Sequence, residues 1–191
     1  MLNYPLSFSF KIIVFNPQVV IKDASEQTVF YVKQKALALK ESVKVFGDEK
    51  QENELFNIKA NKIIDFSAQY NITTPQGEPL GSVKRQGMKS IWKATYNILD
   101  SNDGEKALIH EENPWIKLLD SFLSQIPFLG MLINPSYLVD ISGVTVLRLK
   151  KQPAFFEGKF ILEKLADFSQ EDENLMIQSL IMMILLERMR G

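Results

Sequence analysis

LMIQSLIMMILL, Leu175–Leu186, is apolar on every side except at Gln178 and Ser179. An acidic stretch, Glu171-Asp172-Glu173, leads into it, and Glu187-Arg188-Met189-Arg190-Gly191 closes it. A helix without a polar face must be buried all round, in lipid or in protein. At 1.5 Å per residue it reaches roughly 18 Å, short of the roughly 30 Å of a bilayer core. The segment is therefore read as a helix over about 172–190 inside a protein core, with no transmembrane span. The rest of the chain must supply what surrounds it.

Upstream, period-2 alternation dominates. Phe8, Phe10, Ile12 and Val14 share one strand face, and Ile64, Phe66, Ala68, Tyr70 and Ile72 share another, with Asp65, Ser67, Gln69 and Asn71 between them. Trp92, Ala94, Tyr96 and Ile98 form a third. One wet and one buried face is the signature of antiparallel sheet. Polar turns at Asp23–Gln27, Gly47–Glu54, Thr74–Gly77 and Asp100–Gly104 punctuate the strands. Asn113-Pro114 reads as a helix start, and Trp115, Leu118, Leu119, Phe122 and Leu123 carry helical spacing, so a side helix is expected over about 114–124. Strands resume at Tyr137–Ile141, Val144–Lys150 and Phe156–Leu165. A sheet this long with one wet face closes on itself, which removes its edges. A barrel of about twelve strands is too wide for strand side chains alone to fill, and Leu175–Leu186 is the missing filling. The expected fold is mainly β (α+β): a closed antiparallel barrel around a buried C-terminal helix, with one additional amphipathic helix, residues 1–191 forming a single domain.

The 191 residues are 46% hydrophobic and 24% charged, with a formal net charge of −1, so any pull toward an anionic surface has to come from a local patch. With no cysteine there is no disulfide, thiolate metal site or S-acylation. The N-terminus alternates and does not read as a signal peptide; a cytoplasmic, peripheral location is expected.

Several segments together resemble the tubby C-terminal-like superfamily, and within it the LURP-one-related and phospholipid-scramblase-like proteins. They are Tyr31-Val32-Lys33-Gln34-Lys35, Gly81-Ser82-Val83-Lys84-Arg85, Ser90-Ile91-Trp92-Lys93-Ala94, Asn134-Pro135-Ser136-Tyr137, Phe160-Ile161-Leu162-Glu163-Lys164 and Leu185-Leu186-Glu187-Arg188. The resemblance implies a twelve-stranded barrel around a C-terminal helix, in a family whose members are linked to phosphoinositide or phospholipid contact, to nucleic-acid binding, or to no known role. The cysteine cluster and Pro-rich N-terminal segment of scramblase-like members have no counterpart here, which argues against lipid transport.

Lys84, Arg85, Lys89 and Lys93 form one cationic run, and Arg148, Lys150 and Lys151 another. Converging cations hold phosphates and lipid headgroups, although charge runs on β-proteins are commonly plain surface. Trp115, Phe122, Phe128 and Leu129 are the candidate contacts of a partner or membrane, with packing against a barrel end as the competing reading. Asp100-Ser101-Asn102-Asp103-Gly104 has some likeness to a calcium loop, but its flanks are strands and a hairpin turn is expected. His110, the one histidine, has no partner signature. Met176, Met182, Met183 and Met189 read as gap-filling core. No catalytic residue, metal site or cofactor is assigned. The expected function is non-enzymatic binding of an anionic phospholipid headgroup or membrane surface. A protein-interaction module using residues 115–133 is the alternative; nucleic acid is disfavoured.

Overall fold

The computed structural model describes residues 1–11, 18–33, 42–61, 68–87, 94–113, 135–153 and 157–188. Twelve strands run in chain order: β1 (Leu6–Lys11), β2 (Gln18–Lys22), β3 (Thr28–Lys33), β4 (Val43–Phe46), β5 (Glu54–Ala60), β6 (Gln69–Thr73), β7 (Pro79–Arg85), β8 (Thr95–Asp100), β9 (Glu105–Glu111), β10 (Ser136–Ile141), β11 (Val144–Gln152) and β12 (Glu157–Lys164). Each pairs antiparallel with its sequence neighbours, and β1 pairs with β12 (Phe8 opposite Phe160), closing the barrel. Closure satisfies the backbone donors and acceptors that an open sheet would leave at its edges.

The helix α1 (Gln170–Arg188) fills the interior. Ser169 caps it: its Oγ accepts the Asp172 N–H at 3.1 Å, which starts the helix two residues before the expected 172. Leu180, Ile181, Met182 and Met183 are fully buried, and the inward strand residues Phe8, Ile21, Ile72, Ile98, Leu147 and Leu162 surround the same core. Burying the nine large apolar side chains between Leu175 and Leu185 is worth roughly 15–25 kcal/mol before conformational entropy is subtracted. Gly81, at φ +151°, lets α1 pass close to β7, because a Cβ there would collide with the Leu99 carbonyl and meet Leu175 at 3.0 Å. The two polar residues of α1 have different fates. Ser179 Oγ donates to the Leu175 carbonyl at 2.8 Å. Gln178 is 0% exposed, and among the described residues its amide has no hydrogen-bond partner.

The expectation of two helices needs correction. Among the described residues there is one helix, α1; residues 114–124 lie outside them. Periodic spacing at Trp115–Leu123 is a local signal, whereas barrel closure and core filling are long-range, and among the described residues the helix in that core is α1.

The two ends of the barrel differ. At one end the strands are joined by tight turns such as 23–27, 74–78 and 142–143, and α1 enters there. At the other, here called the rim, β3 ends at Lys33, β5 at Ala60, β7 at Arg85, β9 at Glu111 and β11 at Gln152. Here most successive strands are separated by longer stretches of sequence, β11 and β12 by only residues 153–156, and α1 ends.

Candidate functional site

Alternation decides which way each cation of β7 points. On β7, Val83 points inward and is fully buried, so Lys84 faces out and is exposed, while Arg85 turns back in. The Arg85 guanidinium lies 3.7 Å from Glu187 near the end of α1 and 5.8 Å from the centre of the Tyr96 ring. The Tyr96 hydroxyl donates to the same Glu187 carboxylate at 2.6 Å. Burial, reinforced by the Glu187 charge, pushes the Tyr96 phenol far above its ordinary pKa. Tyr137 is raised too, by burial first and then by Glu187 and Glu111. Arg85 thus belongs to a polar latch holding the last turn of α1 between β7 and β8.

The second run divides similarly. Arg148 is bound to Glu112 at 2.8 Å and lies 4.0 Å from Glu163. Lys150 is exposed and Lys151 half-buried; neither forms an ion pair among the described residues. Lys84 and Lys150 sit four strands apart, on β7 and β11, so the two runs do not converge on one flank. Lys89, Lys93, Trp115, Phe122, Phe128 and Leu129 lie outside the described residues.

Three rim cations were passed over in the sequence. Lys33, Lys59 and Lys159 are exposed beside the inward positions Val32, Ile58 and Gly158. They do not cluster in sequence, and only the closed register puts them on one rim. Strand alternation was the available signal.

Elsewhere on the outer face, His110 Nε2 lies 2.9 Å from Asp140 Oδ2 and its Nδ1 3.2 Å from the Glu111 carbonyl. Asp140 also accepts the Thr145 hydroxyl at 2.7 Å. A groove of about 390 Å³ lies alongside, lined by Gln86, Asn97, Glu105, Lys106, Asp140 and Ser142 among others. Asp100 accepts the backbone N–H groups of Asn102 (2.8 Å) and Gly104 (2.9 Å), so its carboxylate is used in building a hairpin turn. Among the described residues no group of three or more His, Asp or Glu side chains is placed to hold a metal ion. Nor is any helix there long and apolar enough to cross a membrane.

Residues 28–125, which include β3 to β9 and the Lys84–Lys93 run, match the family model described as LURP-one-related. The chain belongs to the LURP-one-related family. The whole of this LURP-one-related chain aligns with 94% of the X-ray structure of a protein from Arabidopsis thaliana, at a TM-score of 0.53 and 13% identity. At that identity the likeness speaks for the barrel architecture only. No curated protein matches the chain by sequence.

Proposed function

We propose that this LURP-one-related chain is a non-enzymatic module that attaches peripherally to anionic phospholipid surfaces through exposed lysines at the rim. The observation that carries the reading is the division of labour among its cations. Arg85 and Arg148 are held by Glu187 and Glu112, whereas Lys84, Lys150 and Lys151 have no ion-pair partner among the described residues, and Lys84 and Lys150 are exposed. A lysine near an anionic leaflet contributes about 1 kcal/mol, so several must act together.

Co-sedimentation of the purified protein tests this, using vesicles of phosphatidylcholine alone, and with phosphatidylserine or a phosphoinositide added, at low and high salt. Binding to the anionic vesicles only, weakened by salt, is the expected result. Failure to bind any of them at low salt overturns the proposal.

A further inference from the structure

Among the described residues, two grooves of about 390 Å³ lie on the outer face of the barrel. They differ in how much of their hydrogen-bonding capacity is already spent. In the groove beside Asp140 the polar groups bind one another or their neighbours. Gln86 Nε2 donates to Asn97 Oδ1 at 2.6 Å, and Asn97 Nδ2 donates to Glu105 at 3.0 Å. Lys106 is paired with Asp172 at 2.9 Å, and Asp140 is bound to His110 and Thr145.

The second groove crosses β6 and β7 and reaches the turn 100–104 between β8 and β9. Alternation puts Gln69, Asn71 and Thr73 on the outer face, because Tyr70 and Ile72 point into the core. Gln69 is clamped. Its Nε2 donates to Ser82 Oγ at 2.9 Å and to Asp103 Oδ1 at 2.8 Å. Its backbone N–H donates to Asn61 Oδ1 at 3.3 Å. These bonds use both amide hydrogens of Gln69 and leave its Oε1 as an acceptor. They also leave the Asn61 amide hydrogens and the hydroxyl hydrogen of Ser82 to donate, and the second carboxylate oxygen of Asp103 to accept. The side chains of Asn71, Thr73 and Ser101 form no hydrogen bond among the described residues.

The groove therefore holds positioned donors and acceptors side by side. A sugar hydroxyl donates one hydrogen bond and accepts two, so adjacent ring hydroxyls match a carboxylate interleaved with amides and hydroxyls. Clamping Gln69 in advance lowers the ordering cost of binding. The described lining residues include no Lys, Arg or His, and Lys84, opposite Gln69 in register, is not one of them. An anionic ligand would meet like charge at Asp100 and Asp103. The volume falls within the roughly 300–1,000 Å³ of small-molecule sites.

We infer that this groove binds a neutral saccharide. Asp103 and Gln69 Oε1 accept from its hydroxyls, and Asn61, Asn71 and Ser82 donate to them. The site is independent of the membrane reading above, which rests on lysines outside the groove.

Side-chain amide resonances of isotope-labelled protein report on both grooves at once, Asn61, Gln69 and Asn71 on one, Gln86 and Asn97 on the other. The probes are glucose, galactose, mannose and N-acetylglucosamine, with inorganic phosphate and methylammonium as charged controls. The expected result is that at least one sugar shifts Asn61, Gln69 and Asn71, leaves Gln86 and Asn97 in place, and is not imitated by the charged controls. Asn71→Ala and Asp103→Asn each weaken that sugar about five- to tenfold with an unchanged thermal midpoint. Asparagine suits position 103, where φ is +62°, and its amide oxygen still accepts from Gln69. Co-sedimentation with phosphatidylcholine vesicles carrying a glucosyl lipid separates a lipid-borne sugar from a free one. Equal shifts in both grooves, a response of Asn61, Gln69 and Asn71 to phosphate or methylammonium in place of sugar, or undiminished affinity in both variants overturns the inference. So does failure to bind every free sugar and the glycolipid vesicles. Failure to bind anionic vesicles leaves it standing and overturns the membrane reading alone.

Discussion

Gln178 offers a sharp test of the core. It lies at the centre of α1 with 0% exposure, and among the described residues neither its amide nitrogen nor its oxygen has a hydrogen-bond partner. Leaving a buried polar group unsatisfied costs about 1–3 kcal/mol. Methionine preserves the unbranched shape, carries no polar hydrogen and adapts to irregular gaps. Gln178→Met should therefore stabilise the fold by about 1–3 kcal/mol. For a domain of this size one kcal/mol moves the midpoint by about 2–4 °C, so the expected rise is roughly 2–12 °C by differential scanning calorimetry. Ser179→Ala is the control. Its hydroxyl is satisfied by the Leu175 carbonyl at 2.8 Å, so its removal should bring at most a small change. A lower midpoint for Gln178→Met would refute the reasoning, because it would mean that the amide is hydrogen-bonded in solution.

Three further outcomes are expected. Tyr4, Tyr96 and Tyr137 all have pKa values raised mainly by burial, with Glu173 or Glu187 adding to the effect. Above pH about 10 the unfolded chain releases these protons and the folded one retains them, so stability is complete below that pH and falls as pH rises, by roughly 1.4 kcal/mol per unit per tyrosine. Tyrosinate absorbance should then appear together with loss of near-ultraviolet dichroism; ionisation of all three near pH 10 in a still-folded protein would contradict this. Gly81→Ala, which forces a Cβ against the Leu99 carbonyl and Leu175 at a positive φ, should cost about 2–4 kcal/mol, read as a lower urea midpoint. Leu180→Asp puts an unpaired charge at a fully buried position and should prevent folding; a soluble variant melting like wild type would remove α1 from the core.

A protein with a net charge of −1 has no overall attraction to an anionic surface, so attachment has to come from individual exposed lysines such as Lys84 and Lys150. The latch at Glu187 has a different consequence. By engaging Arg85 and Tyr96, it removes from the exposed surface a cation that lies next to Lys84 in sequence. Adjacent basic residues on a strand are thus poor evidence for a shared site, because alternation sends them to opposite faces.

Much of the fold was written locally. The alternation at Phe8–Phe10 and Tyr70–Ile72 and the unbroken hydropathy of Leu175–Leu186 each concern neighbours a few residues apart, and they sufficed for strands, a barrel and a central helix. A helical period at 114–124 was equally visible, but the described fold contains only α1. What tertiary structure alone decided was long-range. Which cations share a rim depends on the closure of β1 on β12 and on the register of twelve strands. Whether Arg85 is bound or open depends on Glu187, 102 positions away in sequence. Whether Gln178 finds a partner depends on every strand facing it. Periodicity is a property of the backbone and can be read one segment at a time, whereas charge placement and hydrogen-bond satisfaction are properties of the closed barrel and exist only once it has formed.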